Sequence, residues 1–288
     1  MLASFDSIEV NPVLHLLRRF EVLPDQAQEA LTILDPGGEL HDITLFIPEG
    51  AKLADMQVAA GLRNVSVKPW KGAPGVENLS GQIFAQTKRG VVEINSQNLA
   101  MRFPKLYHQP LSFADSAGPI EWVIKEKIFE VRSGKIELAG KLGQASAFLK
   151  LEIPLKKEYN LEPEMDLQIA LENSKGRFRD KFIPYILDQK LQDWIERSIV
   201  SADVNEAAFI YRGSLAKNSN LRKTIQLYID SSNADIDYDP AWPAARDVTA
   251  KVFIDDNNVL GEASKGEISG LALGNARIRY VPRSRGPG

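Results

Sequence analysis

The chain has 288 residues with 44% hydrophobic and 25% charged side chains, enough apolar material for one large β domain or two ordinary ones. A formal net charge of −3 argues against nucleic acid as a partner, because phosphate binding needs clustered positive charge. Cysteine is absent, which excludes disulfides, thiolate metal sites and cysteine nucleophiles.

The first segment, 1–38, reads as helical. MLASFDSIEV has neither the basic flank nor the apolar run of a signal peptide. Asn11-Pro12 pairs an N-cap with a first-turn proline ahead of Val13–Phe20, and Pro24 opens a second short helix that stops at Asp35-Pro36-Gly37-Gly38. Strands then dominate over 39–180. Leu40–Ile47 ends at Pro48-Glu49-Gly50, and Met56–Val67 is assigned as strand through Asn64-Val65-Ser66-Val67.

Alternation is clearest further on. Leu149, Leu151, Ile153 and Leu155 share one side of a strand, as do Met165, Leu167, Ile169 and Leu171. The segment 181–200 interrupts this pattern as an amphipathic helix with Pro184 in its first turn and Leu187, Leu191, Trp194, Ile195 and Ile199 as one apolar stripe. Strands resume over 201–282 with Ile225, Leu227 and Ile229, then Ile236 and Tyr238, then Val252 and Ile254, and finally Ile278 and Tyr280. Asp255–Asn258 and Gly274-Asn275 carry hairpin turn chemistry, and 283–288 reads as a disordered tail.

The expected fold is therefore mainly β with a few helices. Alternation leaves two arrangements open: two packed sheets around a closed core, or one long, curved antiparallel sheet forming an elongated apolar groove, with short helices capping it.

A search for chemistry returns little. His15, His41 and His108 lack metal-ligand spacing, and no nucleophile elbow or phosphate loop is present. Asp235, Asp237 and Asp239 begin like a calcium loop, but Pro240 and Arg246 stand where such a loop needs glycine and glutamate. No metal site, no cofactor and no catalytic residue is assigned. The sequons at Asn64 and Asn78 are short enough to arise by chance.

Several ordered motifs carry a resemblance. Pro74-Gly75 with Leu79-Ser80-Gly81, Phe103-Pro104 with Gln109-Pro110-Leu111 and Trp122, Ile183-Pro184-Tyr185 with Trp194-Ile195, Tyr211-Arg212-Gly213, and Tyr238–Pro243 resemble the YhdP branch of the AsmA-like envelope proteins of Gram-negative bacteria. The chain departs from that pattern at Ser201-Ala202-Asp203 and at Lys217–Asn220. The resemblance implies a bridge-type lipid carrier and favours the groove. Its partner would be phospholipid, held by its acyl chains for movement between inner and outer membranes. This chain would be a periplasmic segment of an inner-membrane-anchored protein whose anchor lies elsewhere. Leu149, Leu151, Ile153, Leu167, Ile169, Leu171, Ile225, Leu227, Ile229, Val252 and Ile254 would line the groove; Leu187, Leu191, Trp194 and Ile199 would form a helix cap or gate. The alternatives are a structural or adaptor β-domain of the envelope with a closed core, and a carbohydrate-active β-domain using Trp70, Trp122 or Trp242.

Overall fold

The computed structural model describes residues 2–12, 32–50, 55–70 and 73–281. Among them are sixteen strands of one antiparallel sheet, interrupted by short helical turns. The chain divides into two compact units: residues 1–141 with 152–161, and residues 142–151 with 162–288.

In the first unit β1 (Leu2–Glu9), β2 (Gly37–Phe46), β3 (Gln57–Val67), β4 (Gly75–Gln86), β5 (Arg89–Arg102) and β6 (Leu111–Ile124) follow one another, each pairing with the next. One side of β6 is continued by two pieces, β7 (Ile128–Ser133) and β8 (Ile136–Gly140), which pair with its two halves. β9 (Gly143–Pro154) contributes residues to both units. In the second unit β10 (Glu164–Lys175), β11 (Ile199–Ser214), β12 (Thr224–Ile236), β13 (Ala245–Asp255) and β14 (Asn258–Ile268) again pair in chain order. The two ends of β14 pair with β15 (Leu271–Leu273) and β16 (Ala276–Tyr280).

The strands have a shared irregularity. Asp42, Asn64, Asn78, Asn233 and Asp247 all take left-handed backbone angles, and each lies inside a register shift of its own strand. Asn and Asp tolerate this region because their short polar side chains bond locally. An extra residue at that point moves the apolar side to the other parity. In β12 the apolar positions run Leu227, Ile229, Ser231 and then Ala234; in β3 they run Ala60, Leu62 and then Val65. The face is conserved across the step: Ala250, on the same side as Ser231, packs against the buried trio Ala234, Ala245 and Val248.

Three expectations are corrected. Leu2–Glu9 is not helical; it is a strand paired with β2. Val13–Phe20 and the helix after Pro24 fall largely or wholly outside the described residues, as does the tail. The helix of 181–200 is shorter and split: a four-residue α1 (Arg179–Phe182), a turn in which Leu187 N–H donates to the Pro184 carbonyl, and α2 (Gln189–Ser198). Asp188 caps α2 by accepting from the Lys190 N–H at 3.0 Å. Pro184 thus ends one element rather than opening the next, because proline disfavours helical geometry at the residue before it. Ile199 lies outside the helix; it opens β11 and pairs with Ile236.

Candidate functional site

Residues directly opposite in a ladder project to the same face, so the register sorts every side chain in the second unit. One row runs Ile169, Phe209, Leu227, Ile254, Val259 and Tyr280 across β10 to β16. The next runs Leu171, Ala207, Ile229, Val252, Gly261 and Ile278. Leu167, Tyr211 and Ile225 form a third. These rows are contiguous and almost wholly apolar.

The opposite face carries ion pairs on either side of an apolar row, Ala170, Ala208, Tyr228, Phe253 and Leu260. Asp166 faces Arg212 at 2.8 Å, Asp230 faces Lys251 at 3.6 Å, and Glu262 faces Arg277 at 2.5 Å, all between neighbouring strands. Lys175 holds Asp203 at 2.7 Å, and this hydrogen bond, helped by Asn233, keeps the Asp203 carboxyl below its ordinary pKa.

None of the residues in the apolar rows is fully buried. A side chain at Gly261, in the middle of its row, would meet no atom within 4 Å. The face closes only past the left-handed residues, where Ala234, Ala245 and Val248 are buried with Ala202, Ile236 and Tyr238 packed against them. The second unit therefore presents a broad, uncovered apolar face with a packed end.

The first unit repeats this gradient. Its apolar face carries Leu45, Val58, Ala85, Gly90, Trp122 and Val131 in the row nearest the β4–β5 hairpin. Ala60, Ile83, Val92 and Ile120 form the next, and Leu62, Gly81, Ile94 and Gly118 the third. Most of the first two rows is half-exposed, while Leu62, Ile94, Leu138, Leu99 and Phe113 further along are buried. A cleft of about 540 Å³ is lined by Thr44, Phe46, Phe84, Val91 and Glu121 from the other face of these strands, together with Gly90 and Trp122 of the first row.

The sequence-derived groove residues of β10, β12 and β13 fall together on one face. Leu149, Leu151 and Ile153 share one side of β9 and are half-exposed or exposed. Sequence reasoning missed Phe209, Tyr211 and Val259 in the second unit and all three rows of the first. Their signal was the same alternation, visible in Ile83 and Ala85 and in Val92 and Ile94.

The helix residues are placed differently from one another. Leu191 and Trp194 on α2 are 44% and 41% exposed, whereas Ser198 is fully buried. Trp194 donates from Nε1 to the Tyr238 carbonyl at 3.1 Å, tying the helix to the corner before β13. Leu187, in the preceding turn, is also exposed.

The aspartates of the calcium-like stretch are engaged as structural acceptors. Asp235 receives the Asp247 N–H and Asp239 the Ala241 N–H. Among the described residues, no cluster of three or more His, Asp or Glu has metal-binding geometry. Glu130 is the one buried carboxylate among the described residues; Lys125 at 2.6 Å and Arg132 at 2.7 Å hold it. The Lys125 hydrogen bond leads in lowering its pKa against the opposing effect of burial.

The chain is 23% identical over 226 residues to the intermembrane phospholipid transporter YhdP of Escherichia coli (strain K12); the aligned part is 77% of this chain and 17% of the relative. The relative's named role is transport, which is not a catalytic one. No solved structure matches. The family described as YhdP protein matches residues 2–280, and the chain belongs to that family.

Proposed function

We propose that this chain is a periplasmic segment of an envelope-spanning carrier and holds phospholipid acyl chains against its apolar sheet faces during movement between the inner and outer membranes. One observation carries the reading: the rows through Leu227 and Ile229 are contiguous, apolar and uncovered, with open space over Gly261. An exposed apolar face of this extent calls for an apolar partner. Each methylene removed from water there is worth ~0.8 kcal/mol, so an acyl chain is held without specific polar contacts and slides without breaking any. The named activity of the E. coli relative supports the same lipid class. A closed adaptor domain would bury these rows, and a carbohydrate site would need facing carboxylates beside the tryptophans.

The test is a photo-crosslinking amino acid placed at Leu227 or at Tyr228 in cells. Leu227 adducts should contain phospholipid and Tyr228 adducts should not, because the two residues project to opposite faces. Equal labelling, or none at either position, overturns the proposal.

A further inference from the structure

Trp122 of β6 lies across Gly90 of β5. A Cβ built on Gly90 would sit 2.2 Å from Trp122 Cζ2 and 2.4 Å from Cη2, so the benzo edge of the indole rests on the glycine backbone. The glycine makes room for a large ring lying flat on the sheet. Trp122 is half-exposed, and its Nε1–H has no partner among the described residues. Tryptophan favours such boundaries, where its ring is covered and its N–H looks for an acceptor.

The surroundings fall in an order. On the packed side of Trp122 lie Ile83, Val92 and Ile120. On the other side the ladder goes one step further, with the Ile124 N–H donating to the Lys88 carbonyl at 2.6 Å. Two residues along a strand is about 7 Å. The Lys88 side chain has no partner among the described residues, whereas the neighbouring cations are engaged. Arg89 donates to Gln86, Lys125 pairs with Glu130, and Lys127 lies over the Tyr159 ring. Glu121, paired with Val91, projects to the opposite face of β6 and lines a cleft that also reaches Trp122 and Gly90.

Apolar row, tryptophan and lysine thus follow one another along the strands in the order of acyl chain, ester and phosphate. Building on the acyl-chain reading above, we infer that the β4–β5 hairpin end of the first unit holds the polar end of a bound phospholipid. Trp122 donates to an ester carbonyl, and Lys88 faces the phosphate. Gly90 is a positioning residue that keeps the indole flat.

The full chain, loaded with phosphatidylglycerol brominated near either the carbonyl or the methyl end of its acyl chains, gives the test. A variant keeping Trp122 as its single tryptophan (Trp70→Phe, Trp194→Phe, Trp242→Phe) should be quenched more strongly by carbonyl-end bromine. Lys88→Ala, on an exposed turn, should lower retained phosphatidylglycerol about five-fold, the worth of one surface charge pair, and leave diacylglycerol of the same chains unaffected. Stronger methyl-end quenching, or equal loss of both lipids, overturns the inference while leaving the acyl-chain reading intact. Absence of any bound lipid by native mass spectrometry overturns both.

Discussion

Leu227 and Ile254 stand opposite one another on β12 and β13, and neither is buried. In an ordinary β-sandwich such a central cross-strand pair would be covered by a second sheet. The half-exposure of this pair and of its row is what the proposed acyl-chain binding rests on.

Leu227→Asp should therefore leave the protein folded while reducing lipid retained on purification several-fold, as read by native mass spectrometry. Ile169→Asp, two strands away in the same row, should act the same way. Placing a carboxylate against acyl chains costs lipid affinity; placing it in a closed core would cost the fold. Circular dichroism of the two variants separates those outcomes.

Filling the open space should have the opposite structural effect. Gly261→Val adds a β-branched side chain to a strand position with room for it. Stability should rise by about 0.5–1 kcal/mol from reduced chain entropy in the unfolded state. A fall in the urea midpoint would show that the site is already covered.

The left-handed asparagines should respond by side-chain class. Asn98 is exposed at φ 56° and its carbonyl accepts from Asn78 at 3.0 Å. Asn98→Val should cost about 1–2 kcal/mol, since a β-branched residue is strained there, and Asn98→Gly should be nearly neutral. The contrast in urea midpoints checks it. Gly81→Ala should be more damaging than either, because its Cβ would fall 1.9 Å from the Glu93 carbonyl at φ 146°.

Glu130 gives the pH dependence its sign. Its folded pKa lies below the ordinary carboxylate value, chiefly through the Lys125 hydrogen bond, so its contribution is present above the unfolded pKa and is lost as pH falls through the folded one. Urea midpoints should decline as acid titrates this group below the usual carboxylate range, and Glu130→Gln should flatten that decline. At neutral pH the same variant should cost about 2 kcal/mol, the worth of a hydrogen bond to a charged group.

Much of this was legible in the residues. Leu167, Ile169 and Leu171 announce a one-sided strand, as do Ile225, Leu227 and Ile229, and the register brings them onto one face. The parity steps were not legible, because an Asn such as Asn64 or Asn233 reads as a turn or a polar surface position until its φ is known. Ile199 was assigned to the helix because it continues the spacing of Leu191 and Ile195; pairing with Ile236 outweighs that propensity and draws it into β11. From sequence Trp122 reads as part of a motif or as an exposed aromatic for a sugar, since nothing in its sequence neighbourhood shows that Gly90 lies beneath it.

The pairing of each strand with its successor has a consequence for how the molecule opens. Within each unit, interactions run from one hairpin to the next, with few contacts between residues distant in the chain's strand order. Such a meander behaves like a one-dimensional array, in which loss of one hairpin weakens its neighbours and leaves the rest standing. Amide exchange should accordingly be graded, slowest beside Ala234 and Val248 and fastest at the outermost strands. A surface built this way yields locally to whatever lies on it, without a global transition.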